Sequence, residues 1–127
     1  MAARWFLAAS VLIWFPYGLW CFLDPGTLAS SAGVTATTPT GVTELRAMYG
    51  GLQMAIGLLA AAGFAHVSAR RPALLALAFL AGGLAVSRLI GGIVDESFSA
   101  YTTGATIFEF VTALLAARFL GQEDATG

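Results

Sequence analysis

Apolar residues run through this sequence in four long, nearly unbroken blocks at 5–23, 44–64, 73–94 and 104–120. Each is close to the ~17–25 residues that an α-helix needs to cross a hydrocarbon core about 30 Å thick. Turn-forming and polar residues collect between them, at 24–43, 65–72 and 95–103. Runs such as Leu74-Leu75-Ala76-Leu77-Ala78-Phe79-Leu80 lack the alternation of apolar and polar positions that a lipid-facing barrel strand requires. The pattern therefore predicts four transmembrane helices, antiparallel in succession because their connectors are short. The expected architecture is all-α: an integral membrane four-helix bundle forming one domain over 1–127.

The first block is N-terminal and follows Arg4, the outline of a secretory signal. It is too long for one and contains Trp14, Pro16 and Trp20, so it is read as the first helix. Asp24-Pro25-Gly26 is expected to stop that helix and to open a short surface helix. Thr43 is expected to cap the second helix, with Glu44 in its first turn where the helix dipole favours negative charge. Arg70-Arg71-Pro72 is expected to end one hairpin arm and begin the next.

Composition agrees with lipid as the solvent. The chain is 58% hydrophobic and 10% charged, against ~45–50% and ~25% in ordinary soluble domains. Its net charge of −1 and lack of a basic block leave no footprint for nucleic acid. One cysteine, Cys21, and one histidine, His66, cannot build a disulfide framework or a metal site, and no cofactor motif is present. Cys21 is read as a packed side chain and His66 as an interfacial one. All six basic residues are arginine. Arg4, Arg70, Arg71 and Arg118 lie at one end of the predicted bundle, which places both termini in the cytoplasm by the excess of positive charge there. The expected location is the bacterial cytoplasmic membrane.

Ionisable residues inside the blocks need a partner or a wet cavity, since an intramembrane charge costs about 2.5–3.5 kcal/mol on insertion scales. Tyr17, Gln53, Arg88 and Glu109 fall in one depth band, ~10 Å below the outer helix ends for Arg88 at 1.5 Å per residue. On the second helix Arg46, Tyr49, Gly50, Gln53 and Gly57 share an α-helical face. On the fourth, Glu109 heads a stripe with Ala113, Ala117 and Gly121, and on the third Arg88 borders Gly83, Ser87 and Gly91. The pairs Gly50-Gly51, Gly82-Gly83 and Gly91-Gly92 are read as helix-packing glycines. These faces predict one polar cluster of Tyr17, Arg46, Tyr49, Gln53, Arg88 and Glu109, roofed by Glu44, Asp95 and the long first connector. Two readings stay open: a ligand pocket among the helices, or a structural pair of Arg88 and Glu109 with Gln53 and the tyrosines satisfying the remaining hydrogen bonds.

The stretch Glu44-Leu45-Arg46-Ala47-Met48-Tyr49-Gly50-Gly51, followed by Gly57, Gly82-Gly83, Arg88-Leu89 and Asp95, resembles an uncharacterised family of small bacterial four-helix membrane proteins. That family, a domain of unknown function, is similar to the DoxX/DoxD-like membrane proteins. The resemblance implies a fold and a membrane location and carries no activity. The leading functional expectation is a binding module for a lipid-like or amphipathic small molecule in an outward polar pocket. The alternative is an accessory or structural subunit of a larger membrane complex. A small acid–base enzyme or proton-coupled transporter using Glu109 stands behind both. Expected partners are membrane lipids, a lipid-like ligand, and either further copies of the chain or a larger complex.

Overall fold

A computed structural model describes residues 1–124. Four of its helical segments are long and apolar enough to cross a membrane: Ala2–Leu23, Pro39–Ala65, Val67–Val94 and Ala100–Glu123. In chain order the elements are α1 (Ala2–Leu23), a short α2 (Thr27–Ala32), α3 (Pro39–Leu45), a π-helical turn at Arg46–Gly51, α4 (Leu52–Ala65), α5 (Val67–Val94) and α6 (Ala100–Asp124). The helix α3, the π turn and α4 run on without a break as the second span.

Three expected helix boundaries move. The second span begins at Pro39 and is capped by Thr38, whose hydroxyl accepts from Gly41 N at 3.1 Å. Thr43 is not the cap; it lies inside the helix and donates to the Pro39 carbonyl. Pro39 occupies the first helical turn, where a missing N–H costs nothing, so helix begins before the apolar block does. At the other end of the bundle, α4 and α5 are separated by His66 alone, in extended conformation. Arg70, Arg71 and Pro72 belong to the second turn of α5 and not to a connector. Long arginine side chains reach the interface from a helical backbone, so charge alone does not mark a helix end. Finally, α6 starts at Ala100, where Ser99 Oγ accepts from Thr102 N at 3.1 Å. The short surface helix after Asp24-Pro25-Gly26 does form, from Thr27, with Asp24 Oδ1 accepting from Gly26 N.

The helices form an open series: α1 packs along α4, α4 along α5 and α5 along α6, whereas α1 and α6 approach at few points. The α1–α4 contact is made by glycine. A methyl group at Gly18 would sit 2.6 Å from Met54 N and 2.8 Å from Gly50 O, and one at Gly57 2.7 Å from Phe15 N. Only glycine lets the two backbones meet so closely. Gly92 lies under the Phe98 ring, but Gly83 has nothing within 4 Å of where a Cβ would be. Gly83 is therefore not one of the packing glycines. Ala113 faces Gly82 as part of the α5–α6 contact, while Ala117 and Gly121 from the same expected stripe are exposed.

Burial divides the bundle along its axis. The half near the chain ends is a dry core built on Leu7, Ala60, Ala73, Leu74, Leu77 and Ala116. Outside it, Leu12 and Phe79 are each 75% exposed and Leu114 66%. A helix apolar on its outer as well as its inner face belongs in lipid. Arg70 Nη1 pairs with Glu123 Oε1 at 3.3 Å, and Arg4 lies over the Phe64 ring at 4.6 Å, so basic residues ring this end. The other half holds the polar residues.

Candidate functional site

The seam where the α1 and α6 backbones stay apart is bridged by three aromatic pairs. Phe6 meets Phe119 with ring centroids 5.4 Å apart, Trp14 meets Phe108 at 5.7 Å, and the hydroxyls of Tyr17 and Tyr101 lie 3.1 Å apart, within hydrogen-bond reach. Behind the upper two pairs lies a cavity of about 180 Å³ lined by Ile13, Trp14, Tyr17, Tyr49, Gln53, Arg88, Tyr101, Ala105, Phe108 and Glu109. At ~30 Å³ per water this is room for about six waters, or a small polar head group.

Five of the eight residues expected from sequence meet here: Tyr17, Tyr49, Gln53, Arg88 and Glu109. Arg88 Nε lies 3.0 Å from each carboxylate oxygen of Glu109. The pair is asymmetric, since the Glu109 side chain is 6% exposed and that of Arg88 24%. Arg88 also lies 5.6 Å from the Tyr101 ring centroid, a cation–π distance. The charge pair is thus direct and has open space beside it.

Arg46, Glu44 and Asp95 stand elsewhere. Arg46 stacks on Phe22 at 5.8 Å and donates to the carbonyls of Phe22 and Leu23, the unpaired C-terminal end of α1. The π turn explains its departure. With i→i+5 bonding each turn holds more than 3.6 residues, so positions across Arg46–Gly51 fall out of α-helical register and Arg46 no longer shares the face of Gln53. Glu44 is exposed on α3, and Asp95 is exposed at the C-cap of α5. The chain reverses next to it through Glu96, at φ 49°, with Ser97 N donating to Gly92 O. These three residues do not line the cavity.

Sequence reasoning missed Tyr101, Trp14, Ala105, Ile13 and Phe108. Tyr101 falls within the expected connector 95–103, where its neighbours are Ser, Ala and Thr. Yet Tyr101, Ala105 and Glu109 recur every fourth residue, and extending the Glu109 stripe toward the N-terminus would have found them. Trp14 is three residues from Tyr17, on the same helix face.

Hydrogen bonding separates spent polar groups from available ones. The buried hydroxyls of Ser10, Thr106 and Thr112 donate to the carbonyls four residues earlier in their own helices. By contrast Trp14 Nε1 and Gln53 Oε1 are buried without a hydrogen-bond partner among the described residues, as is Arg70 Nε at the far end of the bundle. Trp14 is 5% and Gln53 6% exposed, and both line the cavity. A buried polar atom left unpaired costs about 1–3 kcal/mol, and two residues of one cavity carry such an atom. Among the described residues no group of three or more His, Cys, Asp or Glu could hold a metal ion.

No curated protein and no solved structure matches the chain. A family model does match, over residues 2–120, which include all four spans up to the last residues of α6 and every residue of the cavity. The chain belongs to the family of the domain of unknown function DUF4345.

Proposed function

We propose that the protein binds a lipid-like or amphipathic small molecule in the polar cavity beside the Arg88–Glu109 pair, as a multi-pass protein of the bacterial cytoplasmic membrane. The observation that carries this reading is open space beside the charge pair, lined by Trp14 and Gln53, each of which also keeps a buried polar atom, Nε1 and Oε1, without a hydrogen-bond partner among the described residues. A purely structural ion pair gives no reason for either. Ala105 lines the same space without touching the charge pair through any hydrogen bond, so Ala105→Trp fills the cavity and leaves the pair in place. Native mass spectrometry of the protein released from membranes should show a discrete bound mass on the parent chain and none on Ala105→Trp. A bound mass that survives the substitution would locate the molecule on the outer surface.

The ring of Arg4, Arg70, Arg71 and Arg118 at the chain-terminal end supports a cytoplasmic position for both termini. A fluorescent protein fused after residue 127 should therefore mature, and alkaline phosphatase fused there should be inactive. The opposite pair of results would invert the proposed topology and turn the cavity toward the cytoplasm.

A further inference from the structure

We infer that the head group held in this cavity presents a carbonyl-type acceptor oxygen, as an ester or a carboxylate, to the free end of the Arg88 guanidinium. The inference rests on the binding function proposed above and narrows it to a chemical class.

Arg88 spends little of its hydrogen-bonding capacity on Glu109. A guanidinium carries donors on Nε and on both Nη groups. Nε alone makes the bonds to Glu109, lying 3.0 Å from each carboxylate oxygen. The Nη groups donate to none of the described residues. They are also not sealed in: Trp14 Nε1 and Gln53 Oε1 are fully buried, whereas the Nη groups keep exposed surface.

The neighbours of the guanidinium fix the side on which it lies. Glu109 and Tyr101, both on α6, hold it, the first through Nε and the second with its ring centroid 5.6 Å from the guanidinium carbon. Both residues line the polar cavity. Neither lines the groove on the other flank of Arg88, between the second span and α5, which is walled by Met48, Leu52, Leu84 and Ser87. The guanidinium is therefore drawn to the cavity.

Hydrogen-bond sense follows from what is left unspent there. Glu109, 6% exposed, turns both oxygens to Nε and offers the cavity little acceptor surface. The hydroxyls of Tyr17 and Tyr101 engage each other. Tyr49 is half-buried on the cavity wall, and its hydroxyl has no hydrogen-bond partner among the described residues, which makes it a second free donor. The charge that faces the open space is thus the arginine's, although the pair as a whole is neutral. An ester carbonyl answers these donors with no charge of its own, and a carboxylate answers them with a two-point contact to the Nη groups. An ammonium can only donate and meets no free acceptor.

Trp14, which lines the cavity, is the reporter in a Trp5→Phe/Trp20→Phe chain, both replaced positions being exposed on the bundle surface. The chain is reconstituted in nanodiscs of ether-linked phosphatidylcholine, a lipid without carbonyl groups. It is titrated with four amphiphiles of one chain length, brominated near the head: a methyl ester, a carboxylic acid, a primary amine and an alkane with no head group. Saturable quenching by the ester or the acid is expected, tighter by about tenfold or more than by the amine or the alkane. A tighter ester identifies a neutral source of the oxygen, and a tighter acid an anionic one. Arg88→Lys keeps a positive charge beside Glu109 but has no Nη groups, and should bind the preferred head about tenfold more weakly. A folded Arg88→Lys chain that binds it as tightly as the parent would overturn the assignment to Nη. The comparison of head groups on the parent chain stands even if Arg88→Lys does not fold. Equal or tighter saturable binding of the amine or the alkane would overturn the acceptor head and leave the binding function intact. Unsaturable quenching by all four would remove the binding function itself.

Discussion

Glu109→Met is expected to destabilise the folded bundle by roughly 3–5 kcal/mol, Arg88→Met by a comparable amount, and the double substitution by much less than the sum. The guanidinium of Arg88 is always charged. Without Glu109 it faces the cavity with tyrosines and Gln53 around it but no other carboxylate among the lining residues. Glu109, 6% exposed, has Arg88 as its partner at 3.0 Å, so losing Arg88 strands a buried carboxylate. Methionine keeps much of the length of both side chains, which allows the double variant to fill the same space with apolar contact. The measurement is a double-mutant cycle on reversible unfolding in mixed micelles. A double variant no more stable than the weaker single would mean that the two residues act independently, against the bonded geometry. A second readout separates structure from function: the double variant should fold and yet lose the bound mass, because the cavity has lost its polar wall.

The pair was legible in the sequence for a definite reason. Lipid makes charge scarce, so depth and helical azimuth suffice to bring Arg88 and Glu109 together from α5 and α6. The same reasoning overreached at Arg46, because it assumed 3.6 residues per turn across a segment that folds as a π turn. No simple sequence pattern announces such a turn. It also stopped short at Tyr101, since helix α6 starts in Ser and Thr residues that look like a connector until Ser99 is seen to cap it. Trp14 is a different kind of omission. Tryptophan in a membrane span is explained by packing or lipid anchoring, and only the structure shows that Trp14 lines a cavity and that its Nε1 is buried without an acceptor. The helices were readable because their solvent imposes a strong pattern; the cavity was not, because it depends on where two backbones fail to meet.

That failure to meet is set on the opposite side of α1, where Gly18 locks it against α4. Gly18→Ala is therefore expected to cost about 1–3 kcal/mol, the range for overpacking a closed interface, and Gly18→Leu more. The added methyl would lie 2.6 Å from the Met54 backbone nitrogen and 2.8 Å from the Gly50 carbonyl, neither of which can rotate away as a side chain could. Gly83→Ala is the matched control. It too replaces a glycine within a long helix, but it adds its methyl to open space and should stabilise by roughly 0.5–1 kcal/mol through helix propensity alone. Thermal midpoints of the two variants in one detergent should move in opposite directions. If Gly83→Ala instead lowers the midpoint as much as Gly18→Ala, the exposed face around Gly83 is covered by another chain in the membrane. Gly18 carries a further consequence, since its added methyl would also lie 2.9 Å from Gln53 Cβ. Any shift of α1 that relieves the clash moves Gln53 and Trp14 relative to each other. Gly18→Ala should therefore weaken ligand retention as well as stability, although Gly18 lies on the α4 side of α1 and does not line the cavity.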